Sequence, residues 1–142
     1  MSSQASPILY PPTIIGHITK DISDLFAQKV RDRRNIKVLY GCQLNGHPHL
    51  GTAISIICSY AIAKHLQQRF QLSVSFVFNA LENGPGEKRE VEGITYQKML
   101  CDTYQGNRSL SDIYLDSFSE LLSQVSEISG IPHTALLHLR VF

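Results

Sequence analysis

The sequence predicts an α/β domain built on a parallel sheet flanked by helices. Three observations carry that expectation. A short apolar run, "IKVLYG", leads into a glycine-rich turn. An amphipathic helical pattern follows the turn, and a second, nearly continuous apolar run, "SVSFVFNAL", follows the helix. Strand, glycine-rich turn, helix and strand make a βαβ unit, and a right-handed crossover leaves its two strands parallel.

Taken in order, residues 1–12 are rich in Ser, Pro and Gln and read as a flexible arm ahead of one domain over 13–142. A helix follows, with Ile18, Ile22, Leu25, Phe26 and Val30 on one face, and Asn35 can close it. Lys29, Arg31, Arg33 and Arg34 form the densest basic cluster, read as a solvated helix end whose cations suit the C-terminal dipole. "IKVLYG" is a strand ending at Gly41. From Leu50, the residues Ile54, Ile57, Cys58, Ala61, Ile62 and Leu66 recur at helical spacing, with Cys58 as a small core residue.

The second strand runs from 73 to about 80, and its Val/Phe run suits a strand covered on both faces. "ENGPGEKREVEG" reads as a polar loop, and 96–104 as a short helix. The strongest helix comes last. Ser109 or Ser111 can cap it, Asp112 sits in its first turn, and Leu110, Ile113, Phe118, Leu121, Leu122, Val125 and Ile128 line one face. Gly130 and Pro132 end it, and "ALLHLRVF" fits a third strand.

A chain of 142 residues fits one domain with a real core. Its 43% hydrophobic and 18% charged residues, with net charge +1, give no whole-chain electrostatic case for nucleic acid or an acidic membrane. Cys42, Cys58 and Cys101 are odd in number and form no CxxC pair, so neither a zinc site nor a disulfide framework is expected. The start lacks the basic and long apolar regions of a signal peptide, and no apolar stretch is long enough for a bilayer. A cytoplasmic protein without membrane contact is expected.

The chemistry concentrates in residues 41–52, "GCQLNGHPHLGT". A helix N-terminus leaves backbone N–H groups unpaired at the positive end of a dipole, which favours anions. Glycines there let a phosphate or purine approach the backbone, and in a parallel sheet the turn lies at the carboxyl ends of the strands, where such folds bind ligands. A histidine adds a donor for developing phosphate charge. Gly46, His49 and Gly51 have the residue types and placement of a nucleotide phosphate site. No GK[ST] follows, so this is not a Walker loop, nor is it G-x-G-x-x-G.

"NGHPHLGT", residues 45–52, resembles the HIGH signature of class I aminoacyl-tRNA synthetases in its N-G-x-x-H-[LI]-G-x form. The flanks extend the resemblance. "HITKDISDLFAQKVRDRRNIKVLYGCQLNG" looks like the entry helix and first strand of class I lysyl-tRNA synthetases, and "SDIYLDSFSELLSQVSEISGI" like the helix before the third strand in the lysyl and methionyl branches. The covered span is about 18–131, and only the octapeptide is specific.

The resemblance implies a Rossmann-like, HUP-type fold, incomplete relative to a full synthetase catalytic domain. It also implies activation of an amino acid, lysine first and methionine second, by ATP with Mg2+, then transfer to tRNA. It assigns Asn45, Gly46, His49, Gly51 and Thr52 to ATP. His49 stabilises charge as pyrophosphate leaves, Gly51 lies against adenine, and Thr52 replaces the usual histidine or asparagine beside the reaction. Tyr40, Gly41 and Cys42 would help line the amino-acid pocket. His47 and Pro48 are the variable pair, and His47 reads as a solvated loop residue. Glu82 is the only carboxylate just after the second strand and reads as a surface residue.

Two departures stand out: Thr52, and the lack of a KMSKS-type sequence within these 142 residues. Both lower the activity expected of this chain alone. The rival expectations are a small nucleotidyltransferase of the HxGH superfamily, whose Gly-x-Phe-Asp segment is here "GCQL", and a non-catalytic binding partner of a synthetase or tRNA. A half-domain would expose a sheet edge and an apolar helix face, which invite a homo-oligomer or a missing C-terminal half.

Overall fold

A computed structural model describes residues 14–29 and 34–138. The expected arm at 1–12, Val30, Arg31 and Arg33 lie outside the described residues. The elements run α1 (Ile14–Lys29), β1 (Asn35–Gln43), α2 (Leu50–Phe70), β2 (Ser73–Leu81), β3 (Pro85–Val91), β4 (Ile94–Met99), a 3-10 turn (Leu100–Asp102), β5 (Tyr104–Gln105), β6 (Arg108–Ser109), α3 (Leu110–Ser129) and β7 (His133–His138). Asn35 opens β1 and does not close the preceding helix.

The main sheet is parallel with order β1-β2-β7, so the chain is α/β and its sheet is compatible with a Rossmann-like fold. β2 lies in the middle because its run of Val, Phe and Ala is the most apolar strand of the chain. Val74, Phe76, Phe78 and Ala80 meet Ile56, Tyr60, Ala63 and Leu66 of α2 and Phe118 and Leu122 of α3. Aromatic rings organise this core: Tyr60 stacks on Phe76 at 4.3 Å and Phe78 on Phe118 at 5.2 Å between centroids. Tyr60 reaches the Leu122 carbonyl at 3.4 Å, and burial pushes its phenol up to about 12.

The expectation of cover on both faces holds for one. Strand alternation puts Leu39, Val77 and Thr134 in register on the other face, next to Gly41, Asn79 and Leu136. Val77 is buried between its neighbours, but Leu39 is 64% exposed and Leu136 47%.

The buried helix faces differ from those expected. On α2, Ile54, Ile57 and Ala61 are exposed and Cys58 is half-buried. The middle of this helix is apolar on nearly every side, so its periodicity does not select a face; the sheet does. On α1, Ile18 and Leu25 are exposed, while the small residues Gly16, Thr19 and Ser23 are buried. The Thr19 and Ser23 hydroxyls donate to carbonyls one turn back, which satisfies them inside a close helix contact. Ile128 of α3 is 87% exposed, whereas Phe118 and Leu122 are buried as expected.

Ser109 is the N-cap of α3, its Oγ accepting from Asp112 N–H at 3.1 Å, and Gly130 ends the helix at φ 68°. The expected loop at "ENGPGEKREVEG" and helix at 96–104 are instead the β3–β4 hairpin, the 3-10 turn and β5. Val91 pairs with Ile94 around Glu92 and Gly93, whose φ of 52° and 78° give the two-residue turn that matches strand twist.

His65 of α2 shares a 2.9 Å hydrogen bond with Ser23 of α1. Burial, then the charge of Arg69, holds its imidazole below the ordinary 6.5. The fold therefore favours the neutral ring, and the unfolded chain takes up the proton first. This contribution to stability is complete above pH 6.5 and is lost as pH falls through 6.5 towards the lower folded value. Urea midpoints measured at pH 7.5 and 5.5 should fall further for the wild type than for His65→Gln. Equal falls would exclude His65 as a source of the pH dependence.

Candidate functional site

The turn between β1 and α2, residues 44–49, is held at its base by backbone. Leu44 N–H donates to the Leu81 carbonyl at 3.0 Å, carrying the β1–β2 pairing one residue past β1. Gln43 Nε2 donates to Asn83 Oδ1 at 3.1 Å. Behind the turn lies Gly84, where a Cβ would sit 2.9 Å from Leu100 Cδ1 and 3.3 Å from the Leu44 carbonyl oxygen. A side chain there would push the turn away from the segment after β2. Gly84 was not among the residues expected at the site, because its partners are distant in sequence.

His49 is the N-cap of α2, with extended backbone at φ −83° and ψ 168°. Its Nδ1 accepts from the Thr52 N–H at 3.4 Å, and its Nε2 lies 3.0 Å from Thr52 Oγ1. With Nδ1 accepting, the neutral ring carries its proton on Nε2 and donates it to the threonine hydroxyl. Gly51 makes room for this arrangement: a Cβ would lie 3.2 Å from His49 Cε1 and 3.3 Å from Nδ1. Gly46 and Gly41 differ. An added Cβ at either meets nothing within 4 Å, and neither has a positive φ, so no described protein atom requires glycine there.

Tyr40 and Cys42 project to the helix-covered side of β1, and Gly41 to the other. Tyr40 stacks beside Phe78 at 6.2 Å and Phe76 at 6.4 Å. Burial first and the neighbouring Cys42 second push its phenol above 10.0, opposed by a hydrogen bond with Ser55. Burial also pushes the Cys42 thiol up, and its Sγ donates to the Gln43 carbonyl at 3.4 Å. Both groups stay neutral near pH 7, so the thiol is a small polar surface there and not a nucleophile. Beside Gly41 in register, Asn79 Oδ1 is buried with no hydrogen-bond partner.

His47 is exposed, as expected of a loop residue, but it is anchored. Its Nδ1 shares a 2.7 Å hydrogen bond with Ser117 Oγ of α3, and its ring meets Tyr114 edge-on at 5.0 Å. Asn45 is exposed, and Glu82 is half-buried just past β2. The structure thus joins His49, Gly51 and Thr52 in one cluster, with Tyr40 linked to α2 through Ser55.

Among the described residues, no group of three or more His, Cys, Asp or Glu side chains could hold a metal. The turn offers an imidazole N–H, a hydroxyl and first-turn backbone N–H groups, a donor set that suits an anion. Also among the described residues, no helix is long and apolar enough to cross a membrane. No protein-family model matches the sequence, and no curated protein matches it. The chain is an α/β protein with a three-stranded parallel sheet flanked by helices.

Gly51→Ala separates stability from site geometry. The substitution favours helix by about 0.5–1 kcal/mol, but its methyl moves the His49 ring by a few tenths of an ångström. Thermal melts should show the variant at least as stable as the wild type. The NMR shift of His49 Hε1 should move. A variant with unaltered His49 resonances would show that the ring does not rest on Gly51.

Proposed function

We propose that the chain is the N-terminal part of a class I aminoacyl-tRNA synthetase-like catalytic core, with a HUP-type Rossmann topology. It binds ATP and activates an amino acid as the aminoacyl-adenylate for transfer to tRNA. One observation carries this reading: the octapeptide at 45–52 forms the strand-to-helix turn of a parallel βαβ unit, with His49 as N-cap. That placement puts the His49 ring at the positive end of the α2 dipole, beside helix N–H groups that lack intrahelical partners. The flanking resemblance supports lysine before methionine, and a cytoplasmic setting goes with the reading.

In the reaction, an amino-acid carboxylate oxygen attacks the α-phosphorus of ATP. The bond to the bridging oxygen of pyrophosphate breaks, and pyrophosphate leaves with that electron pair. The chain supplies positioning and charge stabilisation and forms no covalent bond. Nε2–H of His49 donates to a phosphate oxygen as negative charge grows. Thr52 Oγ1, its partner in the structure, gives up that N–H to the phosphate, while the Thr52 N–H to Nδ1 keeps the ring in place. Mg2+ carried by the triphosphate would supply charge neutralisation, with no carboxylate of the turn needed to hold it.

A second reading, a non-catalytic binding partner, is favoured by the outer edge of β1, which pairs with no strand among the described residues, and by Leu50, Ile54 and Ile57 exposed on α2. Small nucleotidyltransferases of the HxGH superfamily share the phosphate-site logic and remain the alternative within enzymes.

ATP–pyrophosphate exchange across the amino acids, with ATP titrated calorimetrically, tests the proposal. His49→Ala should abolish ATP binding and cost about 1 kcal/mol in stability through loss of the cap. His49→Asn keeps a cap, so it should retain stability and still lose ATP binding. ATP affinity unchanged in His49→Asn would sink the assignment. ATP binding without exchange for any amino acid would favour the partner reading.

A further inference from the structure

The turn at 44–49 has a second anchor that the phosphate-site reading does not use. Leu44 and Gly84 hold its start, and the helix cap at His49 holds its end. Its middle is held across the chain by His47, whose partner Ser117 is seventy residues away. His47 precedes Pro48, and helical backbone is disfavoured for a residue before proline. Its side chain therefore leaves the turn in a restricted direction, towards α3.

The receiving surface is rigid. Tyr114 and Ser117 are three residues apart and share one face of α3. Next to Ser117, Phe118 is buried and stacked on Phe78 of β2. Ser117 thus stands on a part of α3 fixed by the core. The 2.7 Å hydrogen bond and the 5.0 Å edge contact with Tyr114 restrain the ring in distance and in plane.

We infer that His47 is a positioning residue: through Ser117 and Tyr114 it fixes the turn so that His49 and the first N–H groups of α2 face the phosphates of ATP. The inference deepens the ATP-site reading and rests on it for the ligand, but not for the latch itself. Without the latch, residues 45–48 lose their tether to α3, and the phosphate donors sample more orientations. The effect falls on binding of ATP, since the His47 ring is engaged by Ser117 and Tyr114 of α3.

The test uses the full chain with His47→Ala, Ser117→Ala, the double variant and Ser117→Thr. Amide hydrogen exchange at Thr52 and Ala53, whose N–H groups donate to His49, reads the latch without nucleotide, and calorimetric ATP titration reads its consequence. Each alanine variant should speed exchange at these amides and weaken ATP binding by about five-fold, the scale of one net hydrogen bond. The double variant should do no more than the worse single one, and Ser117→Thr, which keeps the hydroxyl, should behave as wild type. Where exchange activity is measurable, KM for ATP should rise with kcat little changed. Unchanged exchange protection in both single variants, or effects that multiply in the double variant, would overturn the latch. Altered protection in a chain whose wild type binds no ATP would uphold the latch and reject the nucleotide reading.

Discussion

The structure depends on the burial of β2. Its Val74, Phe76, Phe78 and Ala80 form one side of the only large apolar core among the described residues, and α2 and α3 lie across them. Two ring stacks, Tyr60 on Phe76 and Phe118 on Phe78, tie each helix to this strand separately. Fully burying a side chain of this size is worth about 1.5–3 kcal/mol, far more than any exposed ion pair of the molecule, such as Lys20–Asp24. The site inherits its geometry from this core, because the same two helices supply His49 at one N-terminus and Ser117 along the other.

A parallel sheet is normally covered on both faces, and among the described residues only one is filled. On the other face, near the carboxyl end of β2, Asn79 Oδ1 is buried with no hydrogen-bond partner among the described residues, between Gly41 and Leu136 in register. An unpaired buried acceptor is costly. It stands on the face that carries exposed Leu39 and Leu136, so the polar and apolar needs of that face coincide.

The existence of the three main-sheet strands was legible because apolar runs bounded by turn residues leave little choice, although the third begins at His133, ahead of the expected "ALLHLRVF". βαβ order followed, and so did both caps of α3, since Ser109 and Gly130 act through local backbone geometry. Helix faces were less legible. α2 is apolar on nearly every side, and α1 buries Gly16, Thr19 and Ser23, which a search for large apolar residues passes over. The β3–β4 hairpin was hidden because glutamate, not asparagine or glycine, takes the first positive φ of its turn. At the site, the motif residues were legible as a string. Their supports were not: Gly84 acts through a close approach to Leu44 and Ser117 through a contact seventy residues away. Neither leaves a local pattern.

Thr52 changes meaning once the turn is seen in three dimensions. As a string it is a departure, a hydroxyl where the resemblance expects histidine or asparagine. In the fold it meets both nitrogens of His49, offering its N–H to Nδ1 and its oxygen to Nε2. The two contacts have different fates when an anion arrives. The contact at Nδ1 belongs to the helix cap and must persist for α2 to keep its first turn. The contact at Nε2 is replaceable, because a phosphate oxygen accepts the same N–H with added charge assistance. Thr52 therefore sets the tautomer and holds the donor in readiness. What it cannot supply is a second ring N–H donor, so under the ATP-site reading a bound phosphate would rely on His49, on the first-turn N–H groups and on its own cation.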